Sequence, residues 1–256
     1  MAAGKKQRAK RAKAPRSKKK NAKSPDHATT AREEFERGAE HVRVRFPAIR
    51  RRLLKWFRKH GRDYPWRKTD NWFHLLLAEM MLRRTRADQV VPVYNQFTRK
   101  YGTPAKAAKL SEDRLEELLT PLGLRWRGRQ MHQTVQYLHH SYAKHGPTPT
   151  DDLKDIPGVG DYSNAMLRNR LFDERVAPID ANFVRFFYRL MNRPFLPDDR
   201  RKPELIALAN AFVRSKHSAD LNLAILDLAA LVCRPARPFC AECPLIRECA
   251  TGRDTP

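Results

Sequence analysis

Residues 153–185, LKDIPGVGDYSNAMLRNRLFDERVAPIDANFVR, decide how the chain is organised, because they place a tight glycine turn and a lone carboxylate at two successive helix entrances. Pro157-Gly158-Val159-Gly160 cannot lie inside a helix, yet Tyr162, Ala165 and Met166 follow at helical spacing, so the turn delivers the chain into a helix. Glycines there permit positive φ and close approach of the backbone to a ligand. Free N–H groups at such an entrance form an anion site, although a plain inter-helix turn has the same composition. Asp180 follows Gly160 by twenty residues. An eleven-residue helix is about 16 Å long and the connection 172–179 spans up to ~27 Å, so Asp180 can return beside the turn. Ala181, Phe183, Val184, Phe187 and Leu190 continue helically, which makes Asp180 an N-cap candidate. It is either a cap alone, or a carboxylate kept ionised by the helix dipole and able to stabilise a developing cation.

Downstream, 222–232 (NLAILDLAALV) reads as a buried helix in which Asp227 is structural. All four cysteines then fall within seventeen residues, Cys233, Cys240, Cys243 and Cys249, spaced x6, x2 and x5. In a basic chain without an export signal, disulfides are not expected. Zinc sites more often show two close pairs, whereas Pro244 directly behind the third cysteine is a feature of some iron–sulfur segments.

Upstream, residues 46–60 carry an apolar stripe at Ile49, Leu53, Trp56 and Phe57, and RDYPWR at 62–67 forms a turn before a second helix at 72–85. Within that helix Glu79 is a single carboxylate in an apolar run. Burial would raise its pKa and suit it to act as a general acid or a base-reading donor; the alternative is a polar edge with Arg83 as its i+4 partner. Helices follow at 87–100, at 111–119 with Ser111 as cap, and at 127–144. Between the last two, Leu124, Arg125 and Trp126 are apt for wedging into a duplex, and Trp126 equally suits a core. No alternating run suggests a sheet, so the fold class is all-α.

The chain of 256 residues has a net charge of +24 and a pI near 10.4, which calls for a polyanionic partner, nucleic acid before an acidic membrane surface. Eleven Lys or Arg and no acid lie between Lys5 and Lys23, giving an expected disordered basic tail over 1–40 that tethers DNA or serves as a nuclear address. About +13 remains on the rest of the chain. No apolar run approaches a membrane span and no signal-peptide core is present, so a soluble intracellular protein is expected.

PGVG, Tyr162, Ile179-Asp180-Ala181-Asn182 and the x6-x2-x5 cysteines together resemble the helix-hairpin-helix base-excision glycosylases of the endonuclease III superfamily, over about residues 56–249. The resemblance implies a two-lobed glycosylase domain at 41–232 with its hairpin at about 150–171, a [4Fe-4S] loop at 233–249 held by the four cysteines, and a short tail at 250–256. It also implies a monomer that binds double-stranded DNA containing a mismatched or damaged base and flips that base into a pocket between the lobes. Gly158, Val159 and Gly160 would hold a backbone phosphate, Asp180 would stabilise the sugar cation and orient water, and Glu79 would contact the base. Arg83 and Arg84 stand where adenine glycosylases carry paired glutamines, and Leu124, Arg125 and Trp126 occupy the loop that touches the orphan base. Bifunctional relatives have a Schiff-base lysine at the position of Tyr162, so a monofunctional enzyme is implied. The end of the chain seven residues after Cys249, Leu124-Arg125 in place of paired tyrosines, and Ala181 in place of Gly depart from the adenine glycosylase pattern, whereas Arg83-Arg84 and the Pro121-Leu122-Gly123-Leu124 loop are similar to thymine mismatch glycosylases, which together imply thymine or uracil opposite guanine. An adenine glycosylase acting on A·G or A·8-oxoguanine without a lesion-reading domain is the alternative. A non-enzymatic iron–sulfur DNA-binding protein is the second, and Asp180 and Glu79 together argue against it.

Overall fold

The computed structural model describes residues 25–123 and 126–253, apart from the side chains of residues 25–30, Trp126 and Pro197. Among these residues the chain forms helices and turns and no strand: α1 (Pro25–Val44), α2 (Phe46–His60), α3 (Trp72–Leu82), α4 (Ala87–Tyr101), α5 (Pro104–Ala107), α6 (Glu112–Leu119), α7 (Trp126–Tyr142), α8 (Asp161–Phe172), α9 (Ala181–Leu190), α10 (Pro203–Val213), α11 (Ser218–Leu231) and α12 (Ala250–Arg253). Side chains start several of them. Asn71 accepts from the N–H groups of Phe73 and His74 at 3.0 and 3.1 Å to cap α3, and Ser111 accepts from Arg114 N at 3.3 Å to cap α6.

Two hydrophobic cores divide these helices into the two expected lobes. One is a contiguous stretch of chain: Phe73, Leu76, Phe97, Leu115 and Val135 gather α3, α4, α6 and α7, joined by Leu153, Ile156 and Val159 of the hairpin and Leu167 of α8. The other is assembled from both ends of the described chain, with Phe35, Ile49, Leu53, Phe183, Phe187, Phe212 and Ile225 drawing α1, α2, α9, α10 and α11 together. The α2 stripe behaves as its spacing requires, Ile49 and Leu53 being fully buried and Trp56 and Phe57 packed at the edge of that core.

Two expectations need correction. Helix α1 begins at Pro25, inside the segment expected to be disordered to residue 40, and buries Phe35, Ala39 and Val42, with Phe35 against Tyr188 at 5.8 Å between ring centroids. Those apolar residues recur four and three positions apart, a helical stripe that the surrounding Glu and Arg residues mask in composition. Helix α3 stops at Leu82 rather than 85, and Arg84 takes a left-handed φ of 54°. The guanidinium of Arg127 donates to the carbonyls of Met81 and Arg83, satisfying acceptors that the helix end leaves open.

Candidate active site

A cavity of about 440 Å³ opens between the two lobes. Glu79 reaches it from α3, Tyr162 and Met166 from α8, Asp180 and Asn182 from the entrance of α9, and Leu223, Leu226 and Ala230 from α11, while Arg83 and Arg84 stand at its rim. The three polar residues expected to act together therefore share one space. Val159 belongs to the core instead, the residue being 8% exposed, so its part in any phosphate contact is confined to the backbone.

The N-cap at Asp180 is observed. Its Oδ1 accepts from the N–H groups of Asn182 and Phe183 at 2.8 and 3.1 Å, and Oδ2 accepts from Asn182 Nδ2 at 2.6 Å. Burial nonetheless lifts the carboxyl above the ordinary aspartate range, against the hydrogen bonds from Phe183 and Asn182 and the charge of Arg185. The expectation that the helix entrance keeps this group ionised is thus opposed by desolvation, which is the larger effect. Glu79 is raised as well, to about 7, by burial against the pull of Arg170. The phenol of Tyr162 is raised well above its usual value by burial and then by the charges of Glu79 and Asp180.

The hairpin owes its shape to one glycine more than the other. Gly158 has φ of 91°, and a Cβ there would lie 3.0 Å from Met80 Cε and 3.1 Å from Gln130 Cδ. Gly160, at the entrance of α8, has φ of −104° and would meet nothing within 4 Å, so it faces open space. Unpaired N–H groups of a first helical turn are the natural contacts for an anion placed there. Arg83 spans from the rim to this hairpin, donating Nη1 to Gln130 Oε1 at 2.7 Å and Gly158 O at 3.3 Å. Leu124, Arg125 and the Trp126 side chain, the expected wedge, lie outside the described residues, as does the basic run at 5–23.

The four cysteines line a second, smaller cavity of about 30 Å³ with Arg189, Val232 and Phe239. Among the described residues no three His, Cys, Asp or Glu side chains converge as on a single metal ion. Arg189 donates Nη1 to Cys233 Sγ at 3.2 Å, and the Cys249 thiol donates to Arg189 O at 3.3 Å. This loop is coupled to the main cavity through two side chains. Arg185, 4% exposed, donates Nε to Cys233 O at 2.8 Å and Nη2 to Asn182 Oδ1 at 2.8 Å, and Asn182 in turn holds Asp180.

Arginine and acid partners around the cavity escaped the sequence reading. Asp227, fully buried, accepts Arg62 Nε at 2.7 Å and Arg67 Nη2 and Nη1 at 2.8 Å, fastening the 62–67 turn to α11. Arg170, two turns beyond Tyr162, also lines the cavity. Its signal was the spacing Tyr162, Met166, Arg170, a single helical face; no local pattern announces the Asp227 contacts, which join residues about 160 positions apart.

Residues 77–210, from α3 into α10, match the family model described as "HhH-GPD superfamily base excision DNA repair protein", and the chain belongs to that family. It is 32% identical over 210 residues to a thymine-DNA glycosylase of Aeropyrum pernix, covering 80% of this chain and 94% of that one. A thymine/uracil-DNA glycosylase of Methanothermobacter thermautotrophicus is 29% identical over 77% of this chain and 90% of its own. The rat adenine DNA glycosylase is 29% identical over 79% of this chain but 41% of its own length. Among solved structures, a thermostable thymine-DNA glycosylase superposes with a TM-score of 0.74 at 27% identity, covering 84% of this chain and 99% of that one.

Proposed function

We propose that the chain is a monofunctional DNA glycosylase that hydrolyses the N-glycosidic bond of thymine or uracil mispaired with guanine in double-stranded DNA, acting as a monomer inside the cell. The convergence of Asp180, Glu79 and Tyr162 in one interlobe cavity carries this reading. A base inside a duplex is out of reach of such a site, so it must be flipped, and a G·T or G·U pair lowers the energy needed for that. Asp180 then faces the sugar and stabilises the oxocarbenium ion, while the first turn of α8 and the basic surface hold backbone phosphates.

Base choice rests on the lining. Ala87, Leu223 and Leu226 offer apolar surface to a pyrimidine methyl group, and a Glu79 carboxyl that titrates near neutrality can donate or accept on the pyrimidine edge. Relatives named for thymine and uracil match nearly their full length, which supports the same assignment. Tyr162 cannot form a Schiff base, and Lys154 is exposed in an ion pair with Asp161 at 2.8 Å, so the product is an abasic site without strand cleavage. We place a [4Fe-4S] cluster on Cys233, Cys240, Cys243 and Cys249, four soft donors around one small cavity. Its contribution there is to order the loop that Arg185 and Arg189 grip.

Single-turnover excision on G·T, G·U, G·A and 8-oxoguanine·A duplexes tests the function: thymine and uracil release should outrun adenine release, and the opposite order overturns the assignment. Borohydride reduction during turnover should trap no covalent adduct. Protein purified without added metal should be brown, with about four irons per chain; colourless protein with one zinc rejects the cluster.

A further inference from the structure

We propose that Arg170 is a further catalytic residue, its guanidinium binding the carbonyl oxygens of the departing pyrimidine and balancing the negative charge that the base carries away. This inference rests on the pyrimidine reading given above.

Position is the first argument. Tyr162, Met166 and Arg170 project from one face of α8 and all line the cavity, so Arg170 stands one helical turn beyond Met166 and near enough to Glu79 of α3 for its charge to act on that carboxyl. Its anchorage is the second. Nη2 donates to Arg67 O at 3.3 Å and Thr69 O at 3.4 Å, two long bonds that fix the side chain and use one of its three nitrogens. Among the described residues it makes no ion pair with a carboxylate, which sets it apart from Arg62 and Arg67, both matched to Asp227. Arg170 is therefore a half-buried cation of the cavity that has donors to spare and, among the described residues, no carboxylate bonded to it.

The chemistry gives that cation a task. When the C1′–N1 bond of a thymine or uracil nucleotide breaks heterolytically, both electrons stay on N1 and the charge spreads to O2 and O4. Water adds at C1′, and the proton it loses ends on the base, which balances the hydrolysis. Charge-assisted hydrogen bonds from a guanidinium to O2 or O4 strengthen as that charge develops, so they favour the transition state over the bound substrate. A low-dielectric cavity enlarges the effect. The simpler role for Arg170 is a prop under residues 67–69, and the two roles differ in what they do to different bases.

The test is single-turnover excision at saturating enzyme on thymine, uracil and 5-fluorouracil opposite guanine, whose N1 acidity rises in that order, for the intact protein and for Arg170→Lys and Arg170→Met. Removal of one such donor lowers rates by about 10²–10³. Arg170→Met should lose that much on thymine and roughly tenfold or less on 5-fluorouracil, steepening the dependence of rate on leaving-group acidity, with Arg170→Lys between the two proteins. Thermal melting identifies a variant that does not fold at the assay temperature, in which case the lysine variant alone carries the slope. An equal loss on all three bases, or no loss, overturns the proposal and leaves a prop. If the intact protein releases adenine but none of the three pyrimidines, the substrate reading itself has failed, an outcome visible before any variant is made.

Discussion

The α3 wall of the cavity and the α11 side of the interlobe junction each bury an acid, and the two acids end in opposite states. Glu79 is enclosed with one guanidinium, Arg170, close enough to oppose its burial, and its carboxyl rises to about 7. Asp227 is the more deeply buried by exposure, yet the hydrogen bonds and charges of Arg67 and then Arg62 outweigh desolvation and hold it below the usual aspartate range. The number and fit of partners, not depth, separates them. An acid with four donors on it, counting Arg62 N at 2.8 Å, is a fastener. An acid left short of donors keeps a proton that can be moved near neutral pH, and such groups gather where chemistry is done.

Asp180 lies between these extremes, and replacing it gives the largest expected effect. It is bonded like a cap but raised like Glu79, so if it faces the sugar, Asp180→Asn should lower single-turnover excision by roughly 10³-fold or more. Duplex affinity and melting temperature should stay close to those of the intact protein, because the amide oxygen can still accept from the Asn182 and Phe183 N–H groups. Near-normal excision would move Asp180 to the side of Asp227 and make it a cap.

Asp227→Asn should affect stability first. The amide cannot balance two guanidiniums in a dry junction, and breaking a buried pair of this kind costs about 3–5 kcal/mol. Denaturant titration reads it directly. A loss below about 1 kcal/mol would show that water reaches Arg62 and Arg67, and the contrast with Glu79 would then be one of exposure after all.

The contiguous lobe was the easier one to read in the sequence, for a physical reason. Its helices, the Ser111 cap and the hairpin turn are set by residues within a few positions of each other, and spacing displays them. The other lobe joins α1 and α2 to α9, α10 and α11, and its deciding contacts are long in sequence, Phe35 on Tyr188 and Arg50 Nε on Phe212 O at 2.8 Å, as are the bonds of Arg62 and Arg67 to Asp227 that fasten it to the first. Helix α1 is masked by its charge, and the apolar residues of α8 form no clean stripe that would mark Arg170 out from the other cations of the chain. Even in the legible lobe the end of α3 was misplaced, because Arg127, more than forty residues away, closes it.

The smallest effect separates the two acids by sign. For Glu79 the folded pKa is raised, so between about 4.5 and 7 the folded protein retains a proton that the unfolded chain has released, and stability falls as pH rises through that window. For Asp227 the folded pKa is depressed, so its contribution is fully present above the ordinary aspartate value of 3.8 and is lost as pH falls through the lower, folded value. Glu79→Gln should accordingly remove a downward slope between pH 4.5 and 7, leaving a variant that gains on the intact protein as pH rises and holds that gain above 7. A shift from 4.5 to about 7 corresponds to roughly 3–4 kcal/mol at most, and water in the cavity reduces it. Urea midpoints measured at intervals from pH 4.5 to 8 for both proteins decide the matter. Parallel curves would mean that Glu79 is ionised in the folded state at the same pH as in the unfolded chain, and the distinction between a bonded and an underbonded acid would lose its foundation on the α3 side.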